Sequence, residues 1–125
     1  MSSDSPKRFE RNIDQDGWIA LPEYIMDEYG DAYISLGFGM YLHLMPEAVY
    51  LEFEEGMKNF DILDQALQDL AARLYPYAGR LEKGADGRVQ IPRLLLNMVG
   101  IKDRVIGTFI GRYWRLRAFE LSEQL

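Results

Sequence analysis

The strongest constraint on the fold of this chain is a repeat. Gly17-Trp18-Ile19-Ala20-Leu21-Pro22 and Gly87-Arg88-Val89-Gln90-Ile91-Pro92 share a glycine, a β-branched residue, an aliphatic residue and a proline at an offset of 70. Further on, Gly39-Met40-Tyr41-Leu42-His43-Leu44 and Gly111-Arg112-Tyr113-Trp114-Arg115-Leu116 align at an offset of 72. Two blocks in the same order, at nearly the same spacing, point to duplication of one small unit. The whole chain has 125 residues, 48% of them hydrophobic and 27% charged, enough apolar material for one compact core, which chains of this size often complete by self-association.

Each copy reads alike in physical terms. An acidic, turn-prone stretch (Asp14-Gln15-Asp16 or Gly84-Ala85-Asp86) leads into a glycine suited to a tight turn with positive φ. A short alternating strand follows, with Ile19 and Leu21, or Val89 and Ile91, on one face. Proline then ends the ladder because it has no N–H to donate. Short helices are predicted over residues 23–28 and 93–98, closed by Gly30 and Gly100. Strand pairs are predicted over 32–36 and 40–44 in the first copy, and over 104–109 and 113–118 in the second, with turns at Gly37 to Gly39 and at Gly111.

Between the copies, two helices are expected. The first starts at Pro46 and stacks Val49, Phe53 and Met57 four residues apart. The second covers 61–75 with a stripe of Leu63, Leu67, Leu70 and Leu74, an Asp69–Arg73 pair at i,i+4, and Pro76 as its stop. Neither carries recognisable chemistry, so both read as packing or oligomer surface. The organisation is a single domain with a first half over 9–45, linker helices over 46–76 and a second half over 77–119.

Net charge is −6, which argues at first sight against nucleic acid. The charge is unevenly placed, however. Residues 1–72 hold 4 basic and 15 acidic side chains, whereas 73–117 hold 10 basic and 3 acidic. The second half is therefore the one suited to phosphate, through Arg88, Arg93, Lys102, Arg104, Arg112, Arg115 and Arg117. Arg112, Arg115 and Arg117 read also as solvated strand faces or as partners for the acidic half of a neighbouring subunit. Lys7, Arg8 and Arg11 form a small basic N-terminal arm, placed either against backbone phosphate or in solvent as a frayed terminus.

The order of these motifs along residues 9–119 resembles the MraZ family, bacterial proteins built from two tandem SpoVT/AbrB-type halves. The segment from Leu36-Gly37-Phe38 through Tyr41-Leu42-His43-Leu44-Met45-Pro46 resembles the family's glycine turn, apolar strand and proline-led helix. Ala78 through Arg88 to Leu95 resembles its second motif, and Val105-Ile106-Gly107 and Trp114-Arg115-Leu116 its closing strands. The resemblance implies an α+β fold, a pseudo-twofold AbrB-type swapped-hairpin β-barrel from two tandem halves with two linker helices. It also implies a DNA-binding transcriptional regulator of the division and cell-wall gene cluster. Such a regulator acts on double-stranded DNA as a homo-oligomeric ring in the cytoplasm or on the nucleoid, with no enzymatic step, cofactor or membrane. A divergent ring-forming interaction protein that kept the fold and lost DNA binding is the alternative.

The family's Asp-x-x-x-Arg motif is split here. The first copy keeps Asp14 but has Trp18 in place of arginine; the second keeps Arg88 but has Gly84 in place of aspartate, with Asp86 or Glu82 as substitutes at another spacing. Arginine matters at this place because its planar guanidinium grips a phosphate or a guanine edge with two bonds. The DNA-contact residues implied are Arg88, Arg93, Asp14, Arg11 and Arg8, with the second half carrying most of the contact.

Other chemistry is thinly represented. Asn12, Asp14, Asp16, Gly17, Ile19 and Glu23 fall at calcium-loop spacing, but Pro22 interrupts the loop and the second copy lacks the ligands. The chain has no cysteine, which excludes disulfides and thiol chemistry, and its lone histidine, His43, sits in an apolar strand. Gly37-x-Gly39 lacks the third glycine of a dinucleotide loop. No run is long and apolar enough for a membrane span, and the polar start has the look of neither signal peptide nor anchor.

Overall fold

The computed structural model describes residues 7–37, 39–58 and 78–119. The helix expected over 61–75 lies outside them. In chain order the elements are β1 (Arg8–Asn12), β2 (Trp18–Ile19), α1 (Glu23–Tyr29), β3 (Ala32–Leu36), β4 (Leu42–Pro46) and α2 (Glu47–Lys58). They continue with β5 (Gly79–Arg80), β6 (Glu82–Lys83), β7 (Val89–Gln90), α3 (Arg93–Met98), β8 (Arg104–Phe109) and β9 (Trp114–Ala118). The fold is α+β. All described strand pairs are antiparallel, in a six-stranded sheet of order β1-β8-β9-β4-β3-β5 and a three-stranded sheet of order β2-β7-β6.

The duplication is written into this order. Exchanging β1 with β5, β8 with β3 and β9 with β4 turns the larger sheet into its own reverse. At the centres of the two sheets, residues pair with their own repeat counterparts: Ile19 with Val89, and His43 with Arg115. Each copy also supplies an edge strand to the other, β1 lying on β8 and β5 on β3. The edge strands β1 and β5 end the larger sheet on opposite sides and do not pair with each other.

Strand alternation fixes which side chains meet in the middle. Leu42 and Leu44 of β4, and Trp114 and Leu116 of β9, enter the buried cluster, while His43 and Arg115 between them take the other face. Ile19 and Val89 bring the small sheet onto the same cluster, and α1 and α3 close it with Ile25, Leu95 and Leu96. The core is thus one body drawn from both copies.

Both short helices form where the prolines place them. Pro22 and Pro92 precede the first turn with φ of −53° and −51°, near helical values and with no N–H to leave unpaired. Gly30 ends α1 at φ +70°, its N–H donating to the Met26 carbonyl at 2.9 Å.

Two local expectations change, and two short strands appear that none of the expectations covered. Arg8–Asn12 is a strand with Phe9 wholly buried, not a frayed arm, because β8 offers it a full ladder of partners. Pro46 closes β4 opposite Ala32, and the helix begins one residue later at Glu47. A strand end tolerates a residue without a donor, so proline serves there as well as at a helix start. Finally β5 and β6 are strands of two residues each, too short to show alternation in sequence. Among the described residues no helix is long and apolar enough to cross a membrane.

Candidate nucleic-acid interface

The two copies of the glycine turn lie against each other at the β2–β7 seam. Their backbones match bond for bond. Gly17 N–H donates to the Asp14 carbonyl at 3.0 Å and Gly87 N–H to the Gly84 carbonyl at 3.0 Å. Asp14 N–H reaches the Trp18 carbonyl at 3.2 Å and Gly84 N–H the Arg88 carbonyl at 2.8 Å. Both glycines adopt positive φ, +90° and +84°.

The side chains are complementary rather than equal. Asp14 Oδ1 accepts the backbone N–H groups of Asp16 and Trp18, both at 2.9 Å, and so builds its own turn. Its other oxygen lies 3.5 Å from Nη1 of Arg88. The aspartate of one copy and the arginine of the other therefore meet, although neither copy holds both. The two departures meet as well. The Trp18 ring lies 3.2 Å from where a Cβ on Gly84 would stand, so glycine there leaves room for the indole. The Arg88 guanidinium also lies 5.8 Å from the Trp18 ring centre.

Asp86 is the main partner of Arg88. Its carboxylate accepts Arg88 Nε at 2.7 Å and the Arg88 backbone N–H at 3.1 Å. The backbone N–H of Arg88, and then its guanidinium, hold the Asp86 carboxyl below its ordinary range. Glu82, the other substitute the sequence offers, is instead in β6. Arg88 thus stands between two carboxylates, yet its side chain remains 43% exposed.

Arg93 has a different task. Its guanidinium donates Nε to the Gln15 carbonyl at 3.2 Å, Nη1 to the Lys102 carbonyl at 2.9 Å, and Nη2 to the Asp14 carbonyl. It ties the first turn to the start of α3 and to the loop before β8. Gln90 Nε2 adds a bond to the Asp16 carbonyl at 2.9 Å, and the Ile91 N–H one to the Gly17 carbonyl, also at 2.9 Å. The first turn is a structural part gripped by the second copy. We expect Arg93→Ala to lower stability by about 2 kcal/mol, by leaving carbonyls without donors, and Arg93→Lys to recover less than half. Urea unfolding monitored by circular dichroism measures both.

Arg11 and Arg8 sit on β1 and are likewise engaged. Arg11 donates to the Ala20 carbonyl at 3.0 Å and the Glu10 carbonyl at 2.8 Å, and Arg8 pairs with the Glu10 carboxylate at 3.0 Å. For the calcium-loop spacing, β1 is a strand where an entering helix would be needed, and Asp14 Oδ1 is occupied by its own turn.

Sequence reasoning did not see where the second-half charges go. Arg80 lies 4.0 Å from Asp31, Arg88 3.5 Å from Asp14, Arg104 3.1 Å from Glu10, and Arg112 2.7 Å from Glu52. Each pair crosses from the basic half to the acidic part of the chain before residue 73. Exposed pairs of this kind add only about 0–1 kcal/mol each to stability, but each sets a carboxylate beside a guanidinium that would otherwise face phosphate. The sequence signal was present in the opposed charge of the halves; the partner assignment needed the topology. Compared with family models and with curated proteins, the chain matches none.

Proposed function

We propose that this chain is a MraZ-type protein with the AbrB-like swapped-hairpin fold, acting as a homo-oligomeric interaction protein of the bacterial cytoplasm. In this reading it has no enzymatic step and no longer reads DNA sequence. The fold part is supported by the exchange of strands: each copy completes the other's sheet, as swapped hairpins do. The functional part rests on one observation, the neutralisation of Arg80, Arg88, Arg104 and Arg112 by carboxylates of the acidic part. Self-association is supported by exposed apolar side chains at equivalent places. Tyr24 and Leu94, counterparts at the offset of 70, are 42% and 53% exposed. Met98 follows Leu94 by one turn of α3, and Met40 comes within 3.8 Å of a Cβ position on Gly100.

Light scattering tests this reading. The expected result is a mass well above one chain, reduced to the monomer by Leu94→Glu combined with Met98→Glu. A wild-type monomer at every concentration would overturn it. Duplex DNA at about 50 mM salt should give no salt-dependent binding.

A second reading, the DNA-binding regulator, is favoured by the exposure of Arg88 beside the second turn, at 43%. Binding that weakens with salt and is lost in Arg88→Ala would install that reading in place of the first.

A further inference from the structure

The likeness of the two copies breaks at one place in the larger sheet. Gly107 of β8 pairs with Leu116 of β9, and Ile34 of β3 pairs with Leu44 of β4. Leu44 and Leu116 are repeat counterparts at the offset of 72, so Ile34 holds the place of Gly107. One strand further out, Phe9 lies opposite Gly107, and Gly79 lies opposite Ile34. Gly79 therefore holds the place of Phe9, in agreement with the offset of 70.

Three aromatic rings gather on the Phe9 side. Phe9 is wholly buried with its ring centre 5.2 Å from that of Trp114, and Tyr24 lies 6.1 Å from Trp114. Their counterparts are Gly79, Leu42 and Leu94, none of which has a ring. The Phe9 ring covers bare backbone, since a Cβ on Gly107 would stand 2.3 Å from it. On the other side Ile34 restores some bulk, yet a Cβ on Gly79 would meet nothing within 4 Å. Directly paired residues share one face of a sheet, so this open space lies on the core face, with Ile34.

The space forms part of a cavity of about 390 Å³ beside the edge strand β5. Ile34, Leu81, Pro92, Leu94 and Leu95 give it apolar walls. Leu95 is 1% exposed and Leu94 is 53% exposed, so the cavity runs from a buried floor to an open mouth. Its charged lining is one guanidinium and one carboxylate, Arg80 and Glu82, with no excess of either sign to attract an ion. Protein interiors are otherwise close-packed, and apolar cavities walled by leucine and isoleucine take up single aromatic rings.

We infer that this cavity binds a small neutral molecule with one aromatic ring. The guest's ring stands in the second copy where the phenyl group of Phe9 stands in the first. The chain supplies that ring from its own edge strand on one side of the sheet and leaves the place vacant on the other.

Benzyl alcohol is the probe, and the NMR signals of the methyl groups of Ile34, Leu94 and Leu95 are the readout. These signals should move saturably with a Kd of about 5 mM or tighter. The ring protons of the alcohol should show nuclear Overhauser contacts to the same methyl groups. Benzoate and benzylamine, which carry the same ring with a charge of either sign, should bind at least about fivefold more weakly. Gly79→Phe supplies the ring from the chain and should abolish binding. Met98→Glu alters the face proposed for self-association but not the cavity lining, and should leave the Kd within about twofold, so loss of the oligomer and loss of the site are distinguishable. No saturable shift in the wild type, or Overhauser contacts to other methyl groups only, overturns the inference whether or not the Gly79 variant folds. So does unaltered binding in a folded Gly79→Phe, equal affinity for benzoate and benzylamine, or loss of binding in Met98→Glu.

Discussion

Replacing Gly17 by alanine should cost more than about 4 kcal/mol, while the same change at its counterpart Gly87 should cost only about 1–2 kcal/mol. Both glycines have positive φ, +90° and +84°, so both substitutions carry the backbone penalty of an L-residue there. The difference lies in what surrounds them. A Cβ on Gly17 would stand 2.1 Å from the backbone carbonyl oxygen of Ile91, which cannot move aside as a flexible side chain does. That carbonyl belongs to the residue whose N–H donates to Gly17, so displacing it opens the seam between β2 and β7. A Cβ on Gly87 meets nothing within 4 Å. Urea denaturation of the two variants, read as midpoints at unchanged slope, measures the contrast. Equal losses would mean that the two turns are packed alike and that the first is not gripped by the second copy.

This contrast also marks the boundary of what the sequence disclosed. The repeat was legible because glycine and proline act locally: Gly17 and Gly87 need a conformation other residues avoid, and Pro22 and Pro92 start a helix whatever lies nearby. The strands at Leu42–Pro46 and Trp114–Ala118 were legible, to within a residue or two, from alternation. What the strands pair with is not a local property. Nothing near Arg8 announces that Phe9 will be buried against β8, or that Glu10 will stand between Arg8 and Arg104. The site suffers from the same limit. Arg93 and Arg88 look alike as basic residues beside a turn, yet Arg93 serves three carbonyls, two of them in the other copy, and Arg88 two carboxylates. The split of Asp14 and Arg88 between the copies reads as degeneration in one dimension. In three dimensions the pair is restored across the seam, and Trp18 fills the space that Gly84 leaves.

Trp114→Ala is expected to cost about 3–5 kcal/mol, the range for emptying a large aromatic site in a core. Trp114 is 3% exposed and lies in β9 opposite both Leu44 of β4 and Phe109 of β8. Its indole meets the rings of Phe9 at 5.2 Å, Phe109 at 5.3 Å and Tyr24 at 6.1 Å between centres. Phe9 and Tyr24 come from the first copy and Phe109 from the second, so this one side chain joins three elements that share no sequence neighbourhood. Gly107 makes the join possible: a Cβ there would lie 2.3 Å from the Phe9 ring, so the bare backbone of β8 lets Phe9 lie close to that strand. Trp114→Phe keeps an aromatic partner for Phe9 and should lose markedly less than the alanine variant. Trp18→Ala gives the internal comparison, since a half-buried indole over Gly84 should cost no more than about 1–2 kcal/mol. The two tryptophans also divide the fluorescence signal. In Trp18→Ala the remaining emission should be that of a buried indole and should shift to the red in one step as urea unfolds the chain. If Trp114→Ala lost no more stability than Trp18→Ala, the two copies would not share the core at β9, and the single-body fold would fail with it.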